Sequence, residues 1–350
     1  MAAAQYVDAD THIVEDADIW SLLGNDEIEL KPRIVVTEPD KAAPGVFPTG
    51  QYWMIDGELY GKGGQALINY SDGTRTFQNS AGRVADMDKY GIASQVIYTS
   101  IFLGLAPKSP RTELALARAY NRKMAEICSK YKDRFHYVAV PSAMNVRETV
   151  ADMNEWKKNG ACGLMLRGYE NDKMLNHKHF WPIYAAAESL DMPICIHIGS
   201  GSRNLRNIEG GGGNAINVAM PNLLAFGSII NSHIPSEFPK LRFGLIESGS
   251  EWLPFAVSRA KRYEARYKVP NHFEKMLADK RLFVTCEQHE DLPEIIKLVG
   301  EDCLMLGTDY GHSDTSTELK AHEMLMARND ISRAVADKIN VANPKALYGI

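Results

Sequence analysis

The sequence predicts an α/β fold: a distorted (β/α)8 TIM barrel with a small β-hairpin-containing insertion after its first strand. Three observations lead there. Eight short β-branched or apolar runs alternate with longer stretches of helical periodicity. Runs such as ICIHI and LRFGLIE are largely apolar on both faces, which is what parallel strands covered on both faces require. No Gly-rich turn follows the first run, as a doubly wound open sheet would be expected to show. With 350 residues, 45% apolar and 24% charged, the chain has the size and ordinary composition of one large soluble barrel, read as a single domain over 1–350.

In chain order the strands are expected at residues 7–12, 94–100, 135–141, 161–167, 193–199, 241–247, 281–287 and 303–309. Helical patterns cover 81–90, 111–132, 146–158, 180–190, 216–231, 251–267 and 292–298, with apolar residues at three- and four-residue steps. The segment 27–79 breaks the rhythm. It contains QYWMIDGELY, where Asp56-Gly57 between alternating aromatic and aliphatic residues signals a hairpin, and it is expected to cover the catalytic face. A second long loop, 200–214, carries Arg203, Arg206 and the run Gly210–Gly213, which either cradles an anion or is a plain loop.

The net charge is −5 and the basic residues are scattered, so nucleic acid is not an expected partner. No apolar run reaches the roughly 18 residues a membrane helix needs, and the N-terminus turns acidic early; a cytoplasmic protein is expected. The five cysteines are odd in number and well separated, which points to free buried thiols.

Polar residues that end barrel strands point into the active site of such folds. Asp10 and His12, at i and i+2 on the first strand, face one side and can meet one metal ion. His197 ends the fifth strand and Asp309 the eighth, with His312 just beyond. Each alone has a bland reading, a capping carboxylate or a satisfied core imidazole. Three strand ends with metal-competent side chains at one end of one barrel make a mononuclear metal site the joint reading. Arg167, closing the fourth strand, is either a clamp for a substrate carboxylate or half of a structural ion pair.

VDADTHIVED, PICIHIGSG, FPKLRFGLIESGSEWLP, LFVTCE, GTDYGHSD and the closing NPKALYGI resemble, in order and over essentially the whole chain, the amidohydrolase-related branch of the amidohydrolase superfamily. That branch includes aminocarboxymuconate-semialdehyde decarboxylase, resorcylate decarboxylases and C–C bond hydrolases. The resemblance implies one divalent ion at the C-terminal strand ends, held by Asp10, His12, His197 and Asp309, with zinc placed first and manganese second. It also implies a homodimer. Many decarboxylases of the branch carry a histidine at the end of strand six, where this chain reads IESGSEWLP. Glu247 or Glu251 is the substitute acid or base, unless Glu251 is only an acidic first-turn residue. Glu287 either contacts the reacting groups or orients a ligand histidine. The catalytic candidates are therefore Asp309, Glu251 and Glu247, and those for substrate Arg167, Glu287 and His312.

The leading expectation is hydrolysis of a C–N or C–C bond next to a carbonyl by metal-activated water, with Asp309 receiving the proton. The alternative is non-oxidative decarboxylation of an aromatic or ring-derived acid. A flat or apolar pocket formed by Tyr52, Trp53, Met54, Tyr60, Ile101, Phe102 and Leu103 competes with the reading that these residues merely pack the insertion on the barrel.

Overall fold

Eight parallel strands form one sheet in chain order: β1 (Tyr6–Ile13), β2 (Ile92–Thr99), β3 (Phe135–Ala139), β4 (Ala161–Arg167), β5 (Ile194–His197), β6 (Phe243–Ile246), β7 (Leu282–Cys286) and β8 (Leu304–Leu306). The computed structural model describes residues 5–37, 50–62, 68–205 and 215–350. All eight expected strands are present. The ring closes where β8 has ended: the Asp309 amide donates to the Asp10 carbonyl (3.0 Å) and the His12 amide to the Tyr310 carbonyl (2.6 Å). Asp8 reinforces this seam, accepting from the Thr308 amide at 2.8 Å and the Thr308 hydroxyl at 2.6 Å.

Helices α1 (Ser80–Lys89), α2 (Pro110–Lys130), α3 (Val146–Lys158), α4 (Trp181–Ser189), α5 (Ala215–Ile230), α6 (Leu253–Tyr267) and α7 (Leu292–Val299) follow the expected spans to within a few residues. Local chemistry starts several of them: Asn79, Ser109 and Asp291 side chains accept amide protons of the first turn in α1, α2 and α7. The NPKALYGI ending has a packing role. Leu347 lies against Gly244 of β6, and the Tyr348 hydroxyl bonds the Ala9 carbonyl and the Tyr98 hydroxyl, both at 2.7 Å.

The Asp56-Gly57 turn joins strands Gly50–Ile55 and Glu58–Gly61, with positive φ at both turn residues (50° and 77°), as a type I′ hairpin requires. A third strand, Arg33–Thr37, pairs on the outside of Gly50–Ile55 and has no local turn signal to announce it. The turn docks through Asp56, whose carboxylate accepts from the Lys108 and Ser109 amides at 3.0 Å and from the Thr112 hydroxyl at 2.7 Å. Trp53 and Tyr60 are buried, Trp53 edge-on to Trp20 at 5.9 Å, so they serve the packing reading rather than a pocket wall. Ile101 and Phe102 are buried likewise, Phe102 against Tyr120. Arg206 and Gly210–Gly213 lie outside the described residues. All five cysteines are free and buried. Among the described residues no helix is long and apolar enough to cross a membrane.

A Cβ on Gly307 would sit 2.4 Å from the Asp10 Cβ and 2.9 Å from its amide nitrogen, wedging the closing seam apart. Gly307→Ala is expected to destabilise the protein by about 1–3 kcal/mol, the usual range for overpacking, as read by denaturant unfolding.

Candidate metal centre

The strand-end side chains meet because β1 is irregular. Asp8, Asp10 and His12 share one parity, and a regular strand would point all three the same way. A register shift between Asp8 and Thr11 breaks the alternation. Asp8 consequently faces outward to Gln95 (3.4 Å), the β8 seam and His322, whereas Asp10 and His12 turn inward. His322 is buried there, with Nδ1 2.8 Å from the Asn340 amide oxygen.

His12 is held from outside. Its Nδ1 lies 3.0 Å from the Thr99 carbonyl, which can only accept, so Nδ1 carries the proton and Nε2 presents its lone pair inward. Its backbone carbonyl accepts from Arg83 Nη1 at 2.8 Å; burial lowers the Arg83 guanidinium to about 10. Around His12 Nε2 stand Asp10 Oδ1 at 3.4 Å, Glu247 Oε2 at 3.3 Å and Asp309 Oδ1 at 3.5 Å. His197 Nε2 lies 3.4 Å from Asp10 Oδ1 and 3.2 Å from Glu247 Oε2.

Those separations suit ligands of an ion better than partners of one another. Donors about 2.1 Å from a common ion at angles of 90–110° lie about 3.0–3.4 Å apart. His12 Nε2, Glu247 Oε2 and Asp309 Oδ1 are buried with no hydrogen bond of acceptable geometry, the condition a cation would relieve. Asp10, His12, His197 and Glu247 form one convergent set of donor atoms, and His12, Glu247, Asp309 and His312 a second. Together the two sets hold three imidazoles and three carboxylates, within hard-to-borderline metal chemistry.

Two of the carboxylates sit on strained backbone. Glu247 and Asp309 have φ of 61° and 53°, the left-handed region that glutamate in particular avoids. The Glu247 amide is tied to the Thr285 hydroxyl at 2.7 Å, and that conformation turns the carboxylate inward at the end of β6. Burial, then the nearby Asp309 and Asp10 carboxylates, push Glu247 well above the ordinary carboxyl range. Burial acts the same way on Asp10, but the His197 and His12 imidazoles overcome it and hold that group low. Burial opposes a charge on His12 too; Asp10 and Asp309 outweigh it and raise that group, whereas burial prevails at His197 and lowers it.

The other candidates separate clearly. Glu251 is exposed before α6 and belongs to neither donor set, whereas the left-handed backbone one residue past β6 brings Glu247 into both. Arg167 is not available as a carboxylate clamp. Its Nε and Nη2 donate to both oxygens of Glu170 (2.9 and 2.6 Å), and its Nη1 faces the Phe102, Leu105 and Ser200 carbonyls (2.8, 2.6 and 3.3 Å). This is the structural ion pair of the two sequence readings. Glu287 lines a small cavity with Asp10, Glu247, Thr285, Asp309 and Ser316 and stays part-exposed. His312 stacks on His12 at 3.8 Å, with Nδ1 2.8 Å from Asp309 Oδ1. The insertion touches the same loop: the Tyr70 hydroxyl donates to the His312 carbonyl at 2.5 Å and Arg75 Nε to the Gly311 carbonyl at 2.6 Å. The sequence missed Glu290. It accepts from the Ser250 amide (2.7 Å) and hydroxyl, and burial raises it to about 7.

Comparison with known proteins agrees with this architecture. A family model described as Amidohydrolase matches residues 7–350. An amidohydrolase from Mycobacterium avium subsp. paratuberculosis K-10 superposes with a TM-score of 0.79 at 16% identity, covering 100% of both chains. The 5-carboxyvanillate decarboxylase of Novosphingobium aromaticivorans, solved with manganese and 4-hydroxy-3-methoxy-5-nitrobenzoic acid, gives 0.62 at 22% identity over 77% of this chain and 79% of that one. A 2,6-dihydroxybenzoate decarboxylase from Rhizobium gives 0.65 at 18% identity over 100% and 99%.

His197→Ala and Glu247→Gln are expected to lower bound divalent metal at least tenfold at subsaturating metal, read by elemental analysis, whereas Glu251→Gln leaves it unchanged. Glu290 supplies a pH prediction. Its protonated form is favoured in the fold, so its contribution is complete below about 4.5, its ordinary value, and is lost as pH rises through about 7. Glu290→Gln cannot ionise. Between pH 4.5 and 7 its stability relative to wild type should rise, by at most about 3 kcal/mol at 1.36 kcal/mol per pH unit, as read by unfolding at several pH values.

Proposed function

The chain belongs to the amidohydrolase family, and on that footing we propose that it is a metal-dependent, non-oxidative decarboxylase of a small aromatic or ring-derived carboxylic acid. The observation that carries this reading is the commitment of Arg167. Arg167 is the guanidinium that the sequence offers as a clamp for a substrate carboxylate. With that guanidinium spent on Glu170 and three carbonyls, the ion at the strand ends is left to hold the carboxylate. The bond beside an ion-held carboxylate is the one to carbon dioxide. The aromatic-acid decarboxylases that share the fold support the same choice.

A divalent ion held by Asp10, His12, His197 and Glu247, whose donor atoms converge, would act as a Lewis acid toward the carboxylate and a neighbouring oxygen. Manganese suits a mixed set of carboxylates and imidazoles that leaves room for substrate oxygens better than the four-coordinate preference of zinc does, and a manganese-bound relative supports it. Asp309 handles the proton. The Thr317 and Ser316 hydroxyls hold its Oδ2 at 2.6 and 3.3 Å, which leaves Oδ1 facing the reacting side. Asp309 protonates the ring carbon that bears the carboxylate; the electrons of the C–C bond then return to the ring as carbon dioxide leaves. Glu247 stays on the metal side, and Glu287 and His312 line the approach of the substrate.

Hydroxybenzoates incubated with the manganese-loaded enzyme in deuterium oxide should release carbon dioxide and gain one deuterium at the vacated ring position. Incubation of aryl amides and ring-cleavage products in oxygen-18 water checks the alternative: label in a new carboxylate, with no carbon dioxide from any acid, would establish hydrolysis. Asp309→Asn should reduce kcat by about 100-fold or more, the scale of general acid–base catalysis.

A further inference from the structure

We propose that Asn222 of α5 is the positioning residue for Glu247: its side-chain amide holds the residues on either side of Glu247 and so sets the left-handed turn that aims the carboxylate inward. This role rests on the place of Glu247 in the donor cluster, whichever reaction the centre catalyses. α5 is a largely apolar helix, AINVAMPNLLAFGSII, in which Asn222 is nevertheless fully buried. Its neighbour fixes its place. A Cβ on Gly168, just past β4, would lie 1.9 Å from the Pro221 carbonyl oxygen, so glycine is what lets α5 seat this close to the barrel. That seat brings Asn222 to the end of β6, where the ladder runs out: β6 pairs with β7 as far as Leu245 and with β5 as far as Ile246. The Ile246 carbonyl ends that ladder and accepts from Asn222 Nδ2 at 2.9 Å.

The same nitrogen donates to the Ser248 hydroxyl oxygen at 2.8 Å, which also accepts from Trp252 Nε1 at 3.2 Å. Asn222 therefore ties residue 246 to residue 248, and Glu247 lies between them. A carbonyl can only accept, so it is the amide nitrogen and not the oxygen that faces Ile246. From the other side the Thr285 hydroxyl of β7 takes the Glu247 amide at 2.7 Å. Held in this way the residue keeps φ at 61°, a conformation that a glutamate adopts only where its surroundings enforce it. Asn222 Oδ1, by contrast, is buried with no hydrogen-bond partner. An orphaned amide oxygen costs stability, so packing alone does not account for an asparagine here. What its nitrogen does accounts for it: the turn it holds brings Glu247 Oε2 to 3.3 Å from His12 Nε2 and 3.2 Å from His197 Nε2.

The test is a double-mutant cycle on the full chain. Asn222→Leu, which keeps the branching but removes the donor, is made in the wild-type and in the Glu247→Ala background, and each protein is titrated with Mn2+ alone, the free ion being read by electron paramagnetic resonance. In the wild-type background Asn222→Leu should weaken Mn2+ binding about tenfold, the scale for groups that orient a ligand. In Glu247→Ala it should change binding by less than about twofold, since the group it acts through is gone. A crystal structure of Asn222→Leu should show Glu247 outside the left-handed region or its carboxylate turned from His12 and His197. Equal weakening in both backgrounds makes Asn222 a scaffold residue and overturns the proposal, and so does an unmoved Glu247 with Mn2+ bound as in wild type. Ser248→Ala removes one end of the tie without touching α5; it should weaken binding by about threefold or more, again only where Glu247 is present, and it decides if Asn222→Leu does not fold. Wild-type Mn2+ affinity in Glu247→Ala would sink the reading of Glu247 as a metal ligand, and the position of Glu247 in the Asn222→Leu crystal would then decide the role of Asn222.

Discussion

Three carboxylates and two imidazoles meet at the mouth of the barrel with almost no solvent contact, and this concentration of buried charge is the constraint that the surrounding structure answers. Burying one unpaired carboxylate costs several kcal/mol, and three that face one another cannot all ionise unaided. Protons and imidazoles answer part of that demand: Asp10 is kept low by two histidines while Glu247 is driven up. Divalent charge answers the rest, and the orphaned inward atoms of His12, Glu247 and Asp309 mark where it belongs. Left-handed backbone at Glu247 and Asp309, worth roughly 1–3 kcal/mol of strain each, turns those groups into the shared donor cluster.

The layer behind the donors is equally specific. Glu15 is buried and accepts from the Thr99 hydroxyl, the Ser100 amide (3.1 Å) and the Ile101 amide (2.9 Å), so it holds the segment that leaves β2. That segment orients both histidines of the β1–β8 seam: the Thr99 carbonyl sets the tautomer of His12, and the Ser100 hydroxyl receives His312. Arg83 of α1 bridges the His12 carbonyl and Gln95, and its guanidinium lies over the Tyr310 ring at 4.5 Å. Residues remote in sequence thus share one task, fixing the two ends of the barrel seam against each other. Gly307 permits the approach.

Polar residues that look catalytic by composition serve the scaffold when their hydrogen-bond capacity is already used. Arg167 ends β4 as an active-site residue should, and yet faces three carbonyls from two separate loops and one carboxylate. It pins the turn after β2 to the turn after β5. Trp53, Tyr60, Ile101 and Phe102, which the sequence left open between pocket walls and packing, are buried in the core cluster.

The sequence by itself determined the eight strands, the helices between them and the Asp56-Gly57 hairpin, because periodicity and turn chemistry are local properties of the chain. It also singled out Asp10, His12, His197 and Asp309, since an ionisable residue that ends an apolar run is visible without a partner. It could not choose between Glu247 and Glu251, four residues apart in the segment between β6 and α6, nor between the two uses of Arg167. Those choices were made by tertiary structure. The direction of a side chain at a strand end depends on a bulge, a positive φ or a neighbouring strand's hydroxyl, and whether a charged group is free depends on acceptors that arrive from elsewhere in the chain. His312 shows the point most plainly: a loop histidine in sequence, it gains its chemistry only where Ser100, Asp309 and Glu247 are brought around it.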